Sequence, residues 1–231
     1  MPGITNSMVV SEGGEYAALG EIVAKSMDST NPIDLNTNDF SSLFDGIGYP
    51  PYMFANRILN NVVFADAENT SPIEKPEHTF QSAHIHGTIQ SDTLYNHMFS
   101  YAQLWNGVPE LTTVPSTLPE SCFSSTRFHS NVVIPEGVQS LGGSSLSSIT
   151  YLNVDDFKVV LPSTLTSIPN YTLLCTSAWT LVMKATTPPT LASSWSYGGP
   201  ASIVVPAGTL SAYQTATNWS AHADIITEAT T

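Results

Sequence analysis

Leu111-Thr112-Thr113-Val114-Pro115, Val138-Gln139-Ser140-Leu141-Gly142 and Leu165-Thr166-Ser167-Ile168-Pro169 carry one short form at intervals of 27 residues. Each is an apolar residue, two small polar residues, a second apolar residue and a breaker. Matching extended starts, Val132-Val133-Ile134-Pro135 and Val159-Val160-Leu161-Pro162, precede the last two copies and are again 27 apart. A fixed period of roughly 20–50 residues marks a solenoid, in which each unit buries its apolar side only against its neighbours. Residues 105–191 are therefore expected to stack as coils. Leu111, Val138 and Leu165 form one expected inward column, and Val114, Leu141 and Ile168 a second.

The nonapeptide Ile134-Pro135-Glu136-Gly137-Val138-Gln139-Ser140-Leu141-Gly142 resembles the repeat of the BspA-type leucine-rich family. Leu161-Pro162-Ser163-Thr164-Leu165-Thr166-Ser167-Ile168-Pro169 is a second copy, with Pro169 where that family usually has glycine. Ala185-Thr186-Thr187-Pro188-Pro189-Thr190-Leu191 resembles the family's exit from its last coil. Ile203-Val204-Val205-Pro206-Ala207-Gly208-Thr209-Leu210-Ser211-Ala212-Tyr213, with Asn218-Trp219-Ser220, resembles its closing segment. The similarity spans residues 105–228, about half of the 231-residue chain. It implies a leucine-rich-repeat solenoid with a C-terminal cap, of the kind found in phage virion proteins and in surface proteins of gut bacteria.

Composition narrows the partners. Hydrophobic residues make up 42%, enough for a real core, while charged residues make up only 11%, well under the usual quarter. The surface therefore depends on hydroxyls and amides. A net charge of −13 repels phosphate backbones, whose binding draws on Lys and Arg, and anionic membrane surfaces likewise. Neither nucleic acid nor membrane is an expected partner. The first residues hold no basic group followed by an apolar run, as a secretory signal needs, and no stretch approaches a membrane span. The expectation is a protein left in the bacterial cytoplasm. Cys122 and Cys175 lie 53 residues apart, near two repeats; coils about 4.8 Å apart place them beyond disulfide reach, as small buried hydrophobes.

Along the chain, three regions are expected: 1–78 for docking and oligomerisation, 79–191 as the solenoid, and 192–231 as the cap. Residues 15–27 carry Tyr16, Leu19, Ile22, Val23 and Met27 at helical spacing. Residues 28–51 combine turn formers with aromatic residues, and such rings need burial. Phe40, Phe44, Tyr49, Tyr52 and Phe54 are the expected docking residues, buried against other subunits by an extended arm. The fold class is mainly β with short helices, preceded by an irregular N-terminal α+β region.

Chemistry is harder to find. His84-Ile85-His86 places two imidazoles on one strand face, but two ligands make no site and no third stands at ligand spacing. Asp155-Asp156 lacks any surrounding cation or glycosidase motif. Ser144-Ser145 lacks a nucleophile elbow, and no phosphate-binding glycine loop occurs. No catalytic, cofactor or metal residue is expected, and the chain reads as a non-enzyme. Trp179, Trp195 and Tyr197 form the candidate recognition surface, because aromatics on a rigid scaffold anchor sugars and proteins; capping the last coil needs the same residue types.

These readings converge on a bacteriophage virion structural protein, a head-decoration, fibre or tail-associated component. Its expected partners are other virion proteins, further copies of itself, and a host-surface glycan or protein. No heptad repeat specifies a trimer, the state common among fibres and decorations. The alternative is a secreted bacterial cell-surface adhesin with the same repeats.

Overall fold

The computed structural model describes residues 33–34, 54–56, 58–64, 77–91, 93–193, 195 and 197–230. The expected helix at 15–27 and the docking candidates Phe40, Phe44, Tyr49 and Tyr52 lie outside the described residues. What is described is mainly β, with few short helices, and winds as a parallel β-solenoid of about seven turns.

The strands are short. The first five are β1 (Ile33–Asp34), β2 (Ile58–Phe64), β3 (His84–Ser91), β4 (Gln103–Leu104) and β5 (Glu110–Leu111). Next come β6 (Thr117–Leu118), β7 (Arg127–Phe128), β8 (Val132–Val133), β9 (Ser140–Leu141), β10 (Leu146–Tyr151) and β11 (Lys158–Leu161). The last are β12 (Ser167–Ile168), β13 (Leu173–Cys175), β14 (Thr180–Met183), β15 (Thr190–Leu191), β16 (Ser202–Val205) and β17 (Ile226–Glu228). They form three parallel sheets. One runs β1-β2-β3-β4-β7-β10-β13, with β5 also on β3; the second is β17-β16-β14-β11-β8; the third is β15-β12-β9-β6. From β6 to β14 each coil supplies a strand to each sheet in turn, so side chains from three walls meet inside.

The register holds for the second and third copies and corrects the first. Val132 pairs with Val159 and Val133 with Val160, and Ser140 pairs with Ser167, all at the expected interval. Ser140 and Leu141, however, face Thr117 and Leu118 on the preceding coil, not Leu111 and Val114. The inward column is Leu118, Leu141, Ile168 and Leu191, all buried. Leu111 belongs to β5, against Ser91, and both Leu111 and Val114 are half-buried. The period is local: residues 127 and 150 pair, as do 146 and 173. Backbone pairing needs only strand register, so the turns between strands absorb the difference in coil length.

Two corners repeat with each coil and use left-handed backbone. His78, His97, Ser121, Ser144 and Tyr171 stand in one column with φ between 51° and 60°. Asn56, Ser82, Tyr101, Ser125 and Ser148 stand in the other, with φ between 56° and 61°. Non-glycine residues adopt this region at a cost of about 1–2 kcal/mol. The cost is offset by coil-to-coil bonds: His97 N–H donates to Glu120 O, Ser121 N–H to Gly143 O, Tyr101 N–H to Ser124 O and Ser125 N–H to Ser147 O. Asn56, His78 and Ser82 N–H donate in the same way, to Gln81 O, Asn96 O and Ser100 O.

Between the corners runs an aromatic ladder. Phe54, Phe80, Phe99 and Phe123 stack with centroids 5.5, 5.3 and 5.4 Å apart and planes within 10° of parallel. That separation is close to the strand spacing of about 4.8 Å, so the backbone ladder itself sets ring stacking. Leu146 and Leu173 continue the column, for Phe123 N–H bonds Ser145 O and Leu146 N–H bonds Thr172 O. Each such burial contributes about 1.5–3 kcal/mol.

The sheet does not begin where the sequence placed the solenoid's start, at residue 79. Strand β2 lies in the expected docking region, yet it pairs with β3 from Ile58↔His84 to Phe64↔Ser91. Phe54, expected as a docking residue, is 2% exposed and stacked on Phe80. Its ring carries the core ladder one coil beyond Phe80. The C-terminal segment likewise adds strands: β16 pairs β14, and β17 pairs β16, so Ile203-Val204-Val205 is not the last strand. Helix α1 (Leu210–Thr215) and a 3-10 segment (Ser220–Ile225) sit between them, with Tyr213 and Trp219 buried. Cys122 and Cys175 are free and buried, as expected. They are not in one column: Cys122 flanks Phe123, whereas Cys175 pairs with Ile149. Burial pushes both thiols up, which makes them unreactive.

Candidate functional site

At the C-terminal end of the solenoid, the corner of one coil and the loop of the next enclose a cleft of about 110 Å³. Asn170, Tyr171, Leu174, Ser193, Trp195 and Tyr197 line it, with Pro169 and Leu191 behind them. Its construction follows from the coil. Pro169 ends the β12 strand pattern and Thr172 Oγ1 donates to Pro169 O at 2.8 Å, which closes the corner. Tyr171 then falls at the left-handed position, φ 59°, and its ring turns outward, 76% exposed. On the next coil Gly198, φ 65°, brings the chain close: a Cβ there would lie 3.1 Å from Cys175 O. Cys175 N–H donates to Gly198 O, and this pins the loop that presents Tyr197, 80% exposed.

Trp195 forms the wall between the two tyrosines. Its indole N–H donates to Leu173 O at 2.9 Å, and its backbone N–H to His222 Nε2 at 3.2 Å. Trp219 meets it edge-on at 5.7 Å. With its polar edge engaged, Trp195 offers the cleft only ring surface. Asn170 and Ser193 supply amide and hydroxyl groups. Among the described residues, no charged side chain lines the cleft.

Of the three recognition candidates, the structure brings Trp195 and Tyr197 together and separates Trp179. Trp179 is 2% exposed, with its indole N–H directed to Gly198 O at 3.3 Å. It lies just before β14, on the inward face, where a large ring fills the interior. Trp179 is therefore core, not recognition surface. Tyr171 and Asn170 were not among the sequence candidates. The signal that would have found Tyr171 is its alignment in one corner column with His97, Ser121 and Ser144, which requires the true coil register.

A second aromatic group lies on the outer face of the first sheet. His86 stacks on Trp105 at 3.7 Å and Trp105 on His129 at 4.0 Å. Gln103 Nε2 donates to His84 Nε2 at 3.0 Å. Both faces of Trp105 are covered, so its ring is not free for a ligand. Burial lowers His86, with His84 adding to it. Burial also lowers His129, and Arg127, His86 and His84 act in the same direction. Among the described residues, no group of three or more His, Cys, Asp or Glu could hold a metal ion.

The remaining constellations are structural. Asp156 pairs with Lys158 at 2.9 Å on the surface and accepts a long bond from Thr180 Oγ1 at 3.3 Å. Glu136 accepts from Ser163 N–H and Oγ at 2.9 and 2.8 Å, and from Lys184 at 3.3 Å. Slight burial opposes its ionisation, but those donors hold it below the usual carboxylate value. Ser144 occupies a corner and Ser145 is buried beside it. Among the described residues, no helix is long and apolar enough to cross a membrane. No protein-family model matches the chain, and no curated protein sequence matches it.

Proposed function

We propose that this chain is a non-enzymatic structural and display protein of a bacteriophage virion, with BspA-type leucine-rich repeats that present the Tyr171–Tyr197 cleft for adhesion to the host surface. The observation that carries the adhesive reading is the cleft. Two exposed tyrosines flank it, each held by a coil-to-coil backbone bond or a corner hydrogen bond rather than by a mobile loop. Rigid, amphipathic rings are the side chains that dominate recognition surfaces. The virion setting rests on the resemblance of residues 134–142 and 161–169 to repeats found in phage proteins. The N-terminal residues, with Phe40, Phe44, Tyr49 and Tyr52, serve in this reading to dock the protein on the particle beside further copies of itself.

The test is made on particles. Gold-labelled antibody against the full chain is expected to decorate purified virions at regular positions. A phage carrying Tyr171→Asn and Tyr197→Ser is expected to assemble normally and adsorb at least tenfold more slowly. Recovery of the chain on bacterial surfaces without particles would replace this reading with the adhesin. Unchanged adsorption by the double variant would remove the cleft from it.

A further inference from the structure

We infer that the cleft takes a single neutral pyranose ring, the exposed end of a surface glycan; this rests on the reading of the cleft as the recognition site. A pyranose has one face of C–H groups and a rim of hydroxyls. The first needs ring surface and the second needs amides and hydroxyls. Tyr171, Trp195 and Tyr197 supply the ring surface, and Asn170 and Ser193 supply the polar groups.

Size and charge narrow the occupant further. The cleft is about 110 Å³, well below the roughly 300–1,000 Å³ of pockets for drug-sized ligands, so one ring lodges and the rest of the glycan stays in solvent. Among the described residues, no lining side chain is charged, in a chain whose net charge is −13. Sialic and uronic acids would find no cationic partner there and would meet a repulsive field. Neutral sugars lose nothing by this.

The experiment titrates the full chain with glucose, galactose, mannose and N-acetylglucosamine, with sialyllactose as the anionic control and a proline-rich peptide as the protein control. Ligand-observed NMR reads binding, and thermal melting reads the fold. At least one neutral sugar is expected to bind, sialyllactose to contact the protein only through its neutral residues, and the peptide not to bind. Tyr171→Asn, which suits the left-handed backbone, is expected to weaken sugar binding at least tenfold with an unchanged or higher Tm. Tyr197→Ser should do the same. Sugar binding that survives both variants would overturn the assignment, as would binding of the peptide alone. If no sugar binds and the double variant still slows adsorption, the saccharide fails and the recognition reading stands; if adsorption is also normal, both fail.

Discussion

The middle of the solenoid and its C-terminal end solve the same problem with different chemistry. From Phe80 to Leu173 every coil has a neighbour on both sides, so backbone N–H and C=O groups find most partners by register, with small hydroxyls such as Thr126 Oγ1 to Phe99 O and Ser100 Oγ to Ser121 O adding to them, and the large side chains need only stack. Past Pro189 there is no full coil to receive the last carbonyls, and specific side chains take over. Tyr213 Oη donates to Ala185 O at 2.7 Å, Trp219 Nε1 to Pro189 O at 2.8 Å and Asn218 Nδ2 to Leu191 O at 2.7 Å. The lesson is that the middle is specified by shape and the end by donors. In the middle, one column passes from phenylalanine at 123 to leucine at 146 and 173. At the end, each ring carries a polar group at the right place.

This comparison is broken most severely in the middle. Phe99 stacks on Phe80 and on Phe123 and is fully buried. Phe99→Ala leaves a cavity between two rings that the strand ladder keeps from closing, and should cost about 3–5 kcal/mol. Urea denaturation of the full chain measures it. Because the lost quantity is shape, Phe99→Leu should recover most of that cost, as the leucines at 146 and 173 indicate. A leucine variant as unstable as the alanine would show that stacking, rather than volume, holds the column.

At the end, the same logic predicts the reverse sensitivity. Trp219→Phe keeps an aromatic ring against Tyr213 and Trp195 but removes the donor to the Pro189 carbonyl. An unsatisfied buried acceptor costs about 1–3 kcal/mol, smaller than the phenylalanine cavity but larger than a ring exchange in the middle. If Trp219→Phe is as mild as Phe99→Leu, the contrast between shape and donors fails.

How far the sequence revealed this architecture follows from the same distinction. Val132-Val133 and Val159-Val160 were legible, as were Leu141 and Ile168, because adjacent coils of equal length put like residues in register. Leu118 was missed because the coil that joins it to Leu141 is shorter than the one from Leu141 to Ile168, and Leu111 and Val114 imitate the pattern at the wrong place. The Phe54-Phe80-Phe99-Phe123 ladder was missed for the same reason: its intervals differ from one coil to the next. The cap residues Tyr213 and Trp219 were visible through the resemblance to a closing segment, but their hydrogen bonds were not, since the accepting carbonyls belong to residues nearly thirty positions earlier. Trp179 and Trp195 look alike in sequence. Only the strand face decides that one fills the core and the other walls a cleft.

Acid should separate the two regions more gently. His78, His86, His129 and His222 are all lowered from the ordinary value of 6.5, chiefly by burial. A lowered folded value means that the unfolded chain binds more protons in this range. Their stabilisation is therefore complete above about pH 6.5 and is lost as the pH falls through the lower folded values. The unfolding midpoint should fall between pH 7 and 5, before the lowered carboxylates Glu136 and Asp156 begin to contribute their own loss. Three of these histidines lie in the first sheet or its corner, so His86→Gln with His129→Gln should flatten the slope far more than His222→Gln. Equal slopes in all variants would show that the Trp105 stack tolerates protonation.

The smallest expected effect is the most discriminating for the corners. Ser125 holds φ 56° and is tied to the next coil by its N–H bond to Ser147 O. Serine in this region costs about 1–2 kcal/mol relative to a relaxed backbone, and glycine avoids that cost. Glycine also loses more backbone freedom on folding, by about 0.5–1 kcal/mol. The two terms oppose each other, so Ser125→Gly should range from neutral to about 1 kcal/mol more stable, readable as a slightly higher Tm by calorimetry. Ser125→Val must move in the other direction, because a β-branched residue resists left-handed backbone most strongly. Ser220, in the 3-10 segment with no positive φ recorded, is the control: glycine there has no strain to relieve and should only destabilise. A destabilising Ser125→Gly would mean that the serine side chain, not the coil-to-coil bond, sets the corner.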